Sequence, residues 1–246
     1  MTLLETRGLI KKYSGRTVVN EVSVTIAQRS IVGLLGRNCA GKTTTFRMIM
    51  GMIAPEGGSV VFDGRDITNL PMYKRARLGI GYLSQEPSIF QRLSVRDNLY
   101  AILETMSLTS AERNKRANML IERFALTEVA DSQGRFLSGG ERRKLEIARA
   151  MVTDPSLILL DEPFSGVDPI AVEDLQQEIY RLVASGVSIL ITDHNVERTL
   201  EVVDKAYIID HGKVIGAGPP AEIIRNDIVR KSYLGNTFDG NEFDEK

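Results

Sequence analysis

The chain of 246 residues holds a single cysteine, Cys39. No internal disulfide can form, a structural zinc site is disfavoured, and a reducing compartment is compatible. Long apolar runs are missing too. The most apolar stretches, residues 46–53 and 157–160, fall far short of the roughly 18 residues needed to cross a bilayer, and residues 1–13 have no apolar signal-peptide centre. The expectation is a chain that does not span a membrane itself. Nor does one sign of charge dominate. Lys and Arg number 31 against 32 Asp and Glu, a net −1, which argues against a broad basic surface tracking nucleic-acid phosphates. No nucleic-acid partner is expected. What is present is ordinary globular composition, 43% hydrophobic and 26% charged, in a length that suits one large domain or a core with a subdomain.

Residues 3–9, 17–26 and 59–63 mix β-branched and polar residues around glycine-containing turns and read as antiparallel strands. Residues 31–35, 157–160 and 187–192 are continuous apolar runs, as parallel strands buried on both faces require. Together they predict an α/β core. Residues 93–154 are rich in helix formers, and Ala117, Leu120, Ile121, Phe124 and Ala125 follow one helical face, which predicts a helical insertion. Further on, residues 206–210 and 213–217 flank His211 and Gly212 as a hairpin, and Pro219 opens a last helix over 222–225.

Gly36-Arg37-Asn38-Cys39-Ala40-Gly41-Lys42-Thr43 has the spacing of a phosphate-binding loop, and it stands after the strand at 31–35 and before a helical segment ending near Gly51. In such a loop, backbone N–H groups surround the phosphates, Lys42 neutralises the β/γ oxygens and the Thr43 hydroxyl ligates Mg²⁺. Asp161 and Glu162 end the apolar strand at 157–160, where open α/β sheets bind ligands. Asp161 would hold the metal, directly or through water, and Glu162 would orient or deprotonate the attacking water. Taken alone, the pair reads equally as a helix N-cap. Leu137-Ser138-Gly139-Gly140-Glu141 has capping-box spacing ahead of a helix containing Leu145, Ala148 and Met151. Its two glycines leave the helix start open to a phosphate, although a well-capped helix is the simpler reading of those residues alone. Singly, Tyr13 reads as packing, Gln85 as a loop amide, His194 as a local hydrogen-bonder and Asp168 as part of a turn before a helix.

In their order along the chain, Tyr13, the loop from Gly36 to Thr43, Gln85, Leu137 to Glu141, Asp161-Glu162, Asp168 and His194 resemble the ATP-binding cassette family over residues 3–235. The resemblance implies a P-loop NTPase (RecA-like) core with an antiparallel β-subdomain over 1–86 and 156–235. It further implies an inserted helical subdomain over 87–155, and residues 236–246, with four acids and one Lys, are expected to form a mobile acidic tail. It implies an ATPase whose ligands are ATP and Mg²⁺. Tyr13 would stack on adenine, while Arg37, Asn38, Cys39, Ala40 and Thr44 join Gly36, Gly41 and Lys42 around the phosphates. Gln85 would sense metal and water beside the metal ligands Thr43 and Asp161, Glu162 and His194 would serve hydrolysis, and Asp168 would lie in a loop crossing between subunits. Two chains would face each other as a homodimer, Ser138, Gly139 and Gly140 of one completing the site around Lys42 of the other. A lone chain should therefore be a poor ATPase.

Residues 81–95, 137–149, 161–169, 192–196 and 233–235 are further similar to the ATPase subunits of lipopolysaccharide exporters. That implies transmembrane permease subunits as partners, membrane contact through those partners only, and a cytoplasmic, peripheral position on the inner membrane. Phe90 and Arg92 would grip a helix of the membrane partner, the plain alternative being a core Phe beside a solvated Arg. The other readings are the ATPase subunit of a branched-chain amino acid importer and a soluble, non-transport cassette protein. Cys39 departs from the family pattern, which has glycine there. A side chain held in a left-handed conformation costs about 1 kcal/mol, so weaker ATP affinity is expected from a loop that still closes, and its thiol is open to modification.

Overall fold

The structure, a computed structural model, describes residues 1–86, 88–165 and 169–234. Asp168, Gly235 and the tail over 236–246 lie outside the described residues. The chain opens with β1 (Thr2–Tyr13), β2 (Arg16–Val22) and β3 (Thr25–Ala27), then β4 (Ile31–Gly36) and α1 (Lys42–Met50). β5 (Gly57–Phe62), β6 (Arg65–Asp66), α2 (Met72–Arg77) and β7 (Ile80–Leu83) follow. A helical stretch holds α3 (Val95–Leu103), α4 (Ser110–Arg123) and α5 (Gly139–Met151). The rest alternates: β8 (Leu157–Asp161), α6 (Pro169–Ala184), β9 (Ser188–Thr192), α7 (Val196–Val202), β10 (Lys205–Asp210), β11 (Lys213–Gly218), α8 (Pro220–Arg225) and α9 (Asp227–Val229).

Two sheets result. The antiparallel one runs β2-β1-β5-β6 with β3 also on β1, and the larger runs β11-β10-β4-β9-β8-β7. In the larger sheet only the β10–β11 hairpin is antiparallel; the other pairs are parallel. Its central strands are apolar between their ends because both faces are covered. Pleating sorts them: Ile31, Leu35, Ile158, Leu160, Ile189 and Ile191 join the core under the helices. Val32, Leu34, Leu157, Leu159 and Leu190 join a second core with α1 and the antiparallel sheet. The parallel sheet is thus the middle layer, and the loops at the C-terminal ends of its strands gather the polar residues.

Two helical expectations need correction: α8, expected as the last helix, is followed by the short α9. The face that included Ala125 ends earlier: α4 stops at Arg123, Phe124 caps it, and Ala125 sits exposed at φ +51. The N–H of Ala125 donates to Glu122 O at 3.0 Å and that of Leu126 to Ile121 O at 2.9 Å, a Schellman closure in which alanine takes the place usually given to glycine. Leu126 is the residue that packs inward.

Candidate functional site

β4 delivers the chain, fully buried, to Gly36, whose φ is +151 and where a Cβ would meet Ile209 O at 2.1 Å. Only glycine fits that approach. Lys42 then folds back over the loop, its Nζ donating to Gly36 O at 2.6 Å and Arg37 O at 3.0 Å, and is 5% exposed. Burial holds its ammonium below the ordinary lysine value, against the pull of Glu162, Asp193, Cys39 and Asp161. α1 starts here with Gly41 as N-cap and no side-chain cap, so its first-turn N–H groups point outward without side-chain acceptors. Cys39, exposed, takes φ +64, the left-handed conformation expected of the glycine it replaces. Above the loop lies a cavity of about 400 Å³ lined on one side by Tyr13, Arg16 and Val18 and on another by Cys39 to Thr44 and by His211. Tyr13 leaves 47% of its surface exposed at the rim. Arg16 and His211 belong to this wall and carried no sequence signal of their own.

The carboxylates stand at the C-terminal end of β8. Thr192 on neighbouring β9 donates its hydroxyl to Asp161 Oδ1 at 2.7 Å, and its carbonyl accepts the Glu162 N–H at 2.7 Å. Glu162 takes φ +47, an outlier for a non-glycine residue that the surrounding bonds hold in place. Its Oε2 accepts from Gln85 Nε2 at 3.0 Å and lies 3.5 Å from His194 Nδ1. Gln85, Glu162 and His194, distant in sequence, therefore meet at one oxygen. Asp193 organises the turn beneath them. Fully buried, it accepts the Phe164 N–H at 3.0 Å and the Asn195 N–H at 2.8 Å, 3.6 Å from His194 Nδ1.

Tyr82 stands beside Asp161, its phenol held above the usual range by burial first and by that carboxylate second. Tyr233, partly buried and with no hydrogen-bond partner for its hydroxyl among the described residues, is pushed up to about 12, chiefly by burial. Sequence reasoning did not place Asp193, Tyr82 or Tyr233 in the site, because each acts through a contact between distant segments.

Ser138 is the N-cap of α5 in a complete capping box. Its hydroxyl accepts the Glu141 N–H at 3.3 Å and donates to Glu141 Oε2 at 2.7 Å, while its own N–H donates to that carboxylate at 2.8 Å. Those bonds hold the Glu141 carboxyl below its usual range. Gly139 and Gly140 are exposed, with open space where a Cβ would stand. None of these residues lines the cavity over Lys42. Phe90 is 48% exposed rather than part of a local core, its ring under the Arg149 guanidinium at 4.8 Å and its N–H donated to Asn98 Oδ1 at 2.8 Å. Arg92 is exposed beside it.

The arrangement fits a nucleoside triphosphate with a divalent cation. A helix start without side-chain acceptors and a buried ammonium suit phosphates. The exposed Thr43 and Gln85 and the half-buried Asp161 supply hard oxygen donors. Among the described residues no cluster of three or more His, Cys, Asp or Glu could form a metal cage.

Residues 19–165 match the family described as ABC transporter. The chain is 52% identical over 239 residues to the lipopolysaccharide export system ATP-binding protein LptB of Escherichia coli (strain K12), covering 97% of this chain and 99% of that one. It is 50% identical over 236 residues to the protein of the same name from Acidithiobacillus ferridurans, covering 96% and 98%. Among solved structures, an ATP-binding cassette of an ABC transporter in its ADP conformation superposes with TM-score 0.86 at 25% identity, covering 96% of this chain and 99% of that one. CbiO1 from Clostridium perfringens, part of an ABC transporter complex, gives TM-score 0.85 at 26% identity over 94% and 93%.

Proposed function

This chain belongs to the ABC transporter family as an ATP-binding, ATP-hydrolysing protein, and from that premise we propose that two copies of it clamp ATP between them to drive lipopolysaccharide out of the inner membrane. The near-full-length likeness to export proteins of that name supports the cargo. Among the described residues no helix is long and apolar enough to cross a membrane. Transmembrane permease subunits would therefore carry the lipid, and this chain would sit peripherally on their cytoplasmic face. The exposed Phe90 and Arg92, with the half-buried Arg149 stacked on the Phe90 ring, offer an aromatic and cationic grip for a partner helix.

The observation that carries the mechanism is the meeting of Gln85, Glu162 and His194 at Glu162 Oε2. ATP would lie with adenine on Tyr13 and its phosphates against the α1 N–H groups, with Lys42 meeting the β/γ charge. Thr43, Asp161 and Gln85 would hold Mg²⁺, which supplies charge neutralisation at the phosphate oxygens when bound. Glu162 accepts the proton of the attacking water, and Gln85 fixes its carboxylate. His194 reaches the γ-phosphate side, oriented from below by Asp193. Ser138, Gly139 and Gly140 lie off the cavity of their own chain, and this supports their delivery to the triphosphate of a second copy, with Asp168 at that junction.

The test is Glu162→Gln. Removing the base lowers phosphate release by at least about 100-fold, while ATP stays bound and dimers accumulate in light scattering. Hydrolysis at the parent rate would exclude Glu162 as the base.

A further inference from the structure

Arg75, on α2, is 1% exposed and ranks among the largest fully buried side chains. No acid lies within ion-pair distance of it among the described residues. Its guanidinium is satisfied by backbone carbonyls alone: Nη1 donates to Met48 O at 2.8 Å and Ile49 O at 2.6 Å, Nε to Leu70 O at 2.8 Å, and Nη2 to Thr68 O at 2.8 Å. Burial lowers its pKa to about 10, opposed by the charge of Asp66. A cation this deeply placed is costly unless every donor is matched, and here the planar fork matches two separate segments at once.

The two carbonyls under Nη1 belong to the last turn of α1, the end of the helix that carries partial negative charge. The chain leaves that turn through Gly51, at φ +74, where a Cβ would stand 2.6 Å from Arg75 Nε. At its other end α1 begins with Lys42. α2 runs through Gly79 into β7, and two residues beyond β7 stands Gln85. β7 is held on its far side by β8, the strand that ends in Asp161. One side chain thus ties the helix that starts at the phosphate loop to the element that leads into the glutamine.

We propose that Arg75 is a positioning residue for ATP hydrolysis: by locking the C-terminal end of α1 to α2, it fixes the origin of β7 and so holds Gln85 against Glu162. It touches neither nucleotide nor metal. The proposal rests on the assignment of Gln85 to the hydrolytic site. ATP binding itself draws on the α1 N-terminus and on Lys42, which is anchored to Gly36 and Arg37, so loosening Arg75 moves kcat rather than KM.

Arg75→Lys keeps the charge and removes the fork, and kcat and KM for ATP are measured per nucleotide-binding site for this variant, for Gln85→Ala and for the double variant. Arg75→Lys lowers kcat by roughly tenfold with KM within about twofold, and adds less than about twofold on top of Gln85→Ala, because the two act through one element. If Arg75→Lys does not fold, Arg75→Gln, which retains part of the carbonyl bonding, takes its place in the same cycle. Full additivity in the double variant, an unchanged kcat, or a KM rising as much as kcat falls overturns the role of Arg75 alone. An unchanged rate in Gln85→Ala overturns the glutamine assignment and the proposal with it.

Discussion

Two helix starts that the proposed dimer would bring to one nucleotide are built in opposite ways. α1 begins at a glycine in left-handed conformation with no side-chain cap, buried beneath a lysine that closes on its own loop. α5 begins at a serine with a complete capping box, exposed, with nothing around its glycines. The first withholds its donors from every side chain, so its free N–H groups are matched only when an anion arrives. The second has the Ser138 and Glu141 N–H groups matched within its own capping box and needs no ligand to be stable. The phosphate loop should therefore set affinity within one chain, whereas the α5 start should act only on assembly, adding its contacts to a γ-phosphate already held elsewhere.

The sharpest way to break that contrast is Lys42→Ala. Removing a buried cation from facing β/γ charge costs on the order of 3 kcal/mol, so ATP affinity falls by more than about 100-fold in titrations of dilute protein. The loss is felt by the lone chain. Affinity within tenfold of the parent would mean that the α1 N–H groups alone hold the triphosphate and that the lysine merely staples the loop.

Ser138→Ala should produce a smaller and different effect. Loss of the cap lowers stability by about 1 kcal/mol, seen as a lower denaturation midpoint. ATP binding by dilute protein stays within about twofold of the parent, and ATP-driven dimerisation measured by light scattering weakens by roughly tenfold. If binding by the lone chain drops as far as in Lys42→Ala, the division of labour between the two helix starts is wrong, and Ser138 would belong to the site of its own chain.

The contrast was partly legible in the sequence. Glycine spacing announces a loop that must approach phosphates, and Ser138 with Glu141 three residues on announces a box, because both are local rules of backbone hydrogen bonding. The apolar runs of β4, β8 and β9 were legible for the same reason: a strand covered on both faces keeps its polar residues to its ends. Gln85 and His194 were legible only through likeness to a family, since nothing nearby in the chain distinguishes them from any loop amide or imidazole. Asp193 and Arg75 were not legible at all. Each is defined by partners brought from other segments, Phe164 to Asp193 and Met48 to Arg75, and no periodicity marks such contacts. Ala125 misled because a helix face extrapolates past a left-handed cap when the capping residue is not glycine.

The finest test of the phosphate-loop half of the comparison is Cys39→Gly. At φ +64 the cysteine occupies a conformation that disfavours any Cβ by about 1 kcal/mol, and relief of that strain is worth at most roughly fivefold in an equilibrium constant. Glycine also frees the unfolded chain, which takes back part of the gain in folding stability. The expected outcome is an ATP affinity tightened by no more than about fivefold and a denaturation midpoint nearly unmoved. An increase beyond about 100-fold would require some 2.7 kcal/mol, more than backbone strain supplies. It would mean that the thiol itself obstructs the phosphates, and that the loop around Gly36, Gly41, Lys42 and Thr43 does not close fully while cysteine is in it.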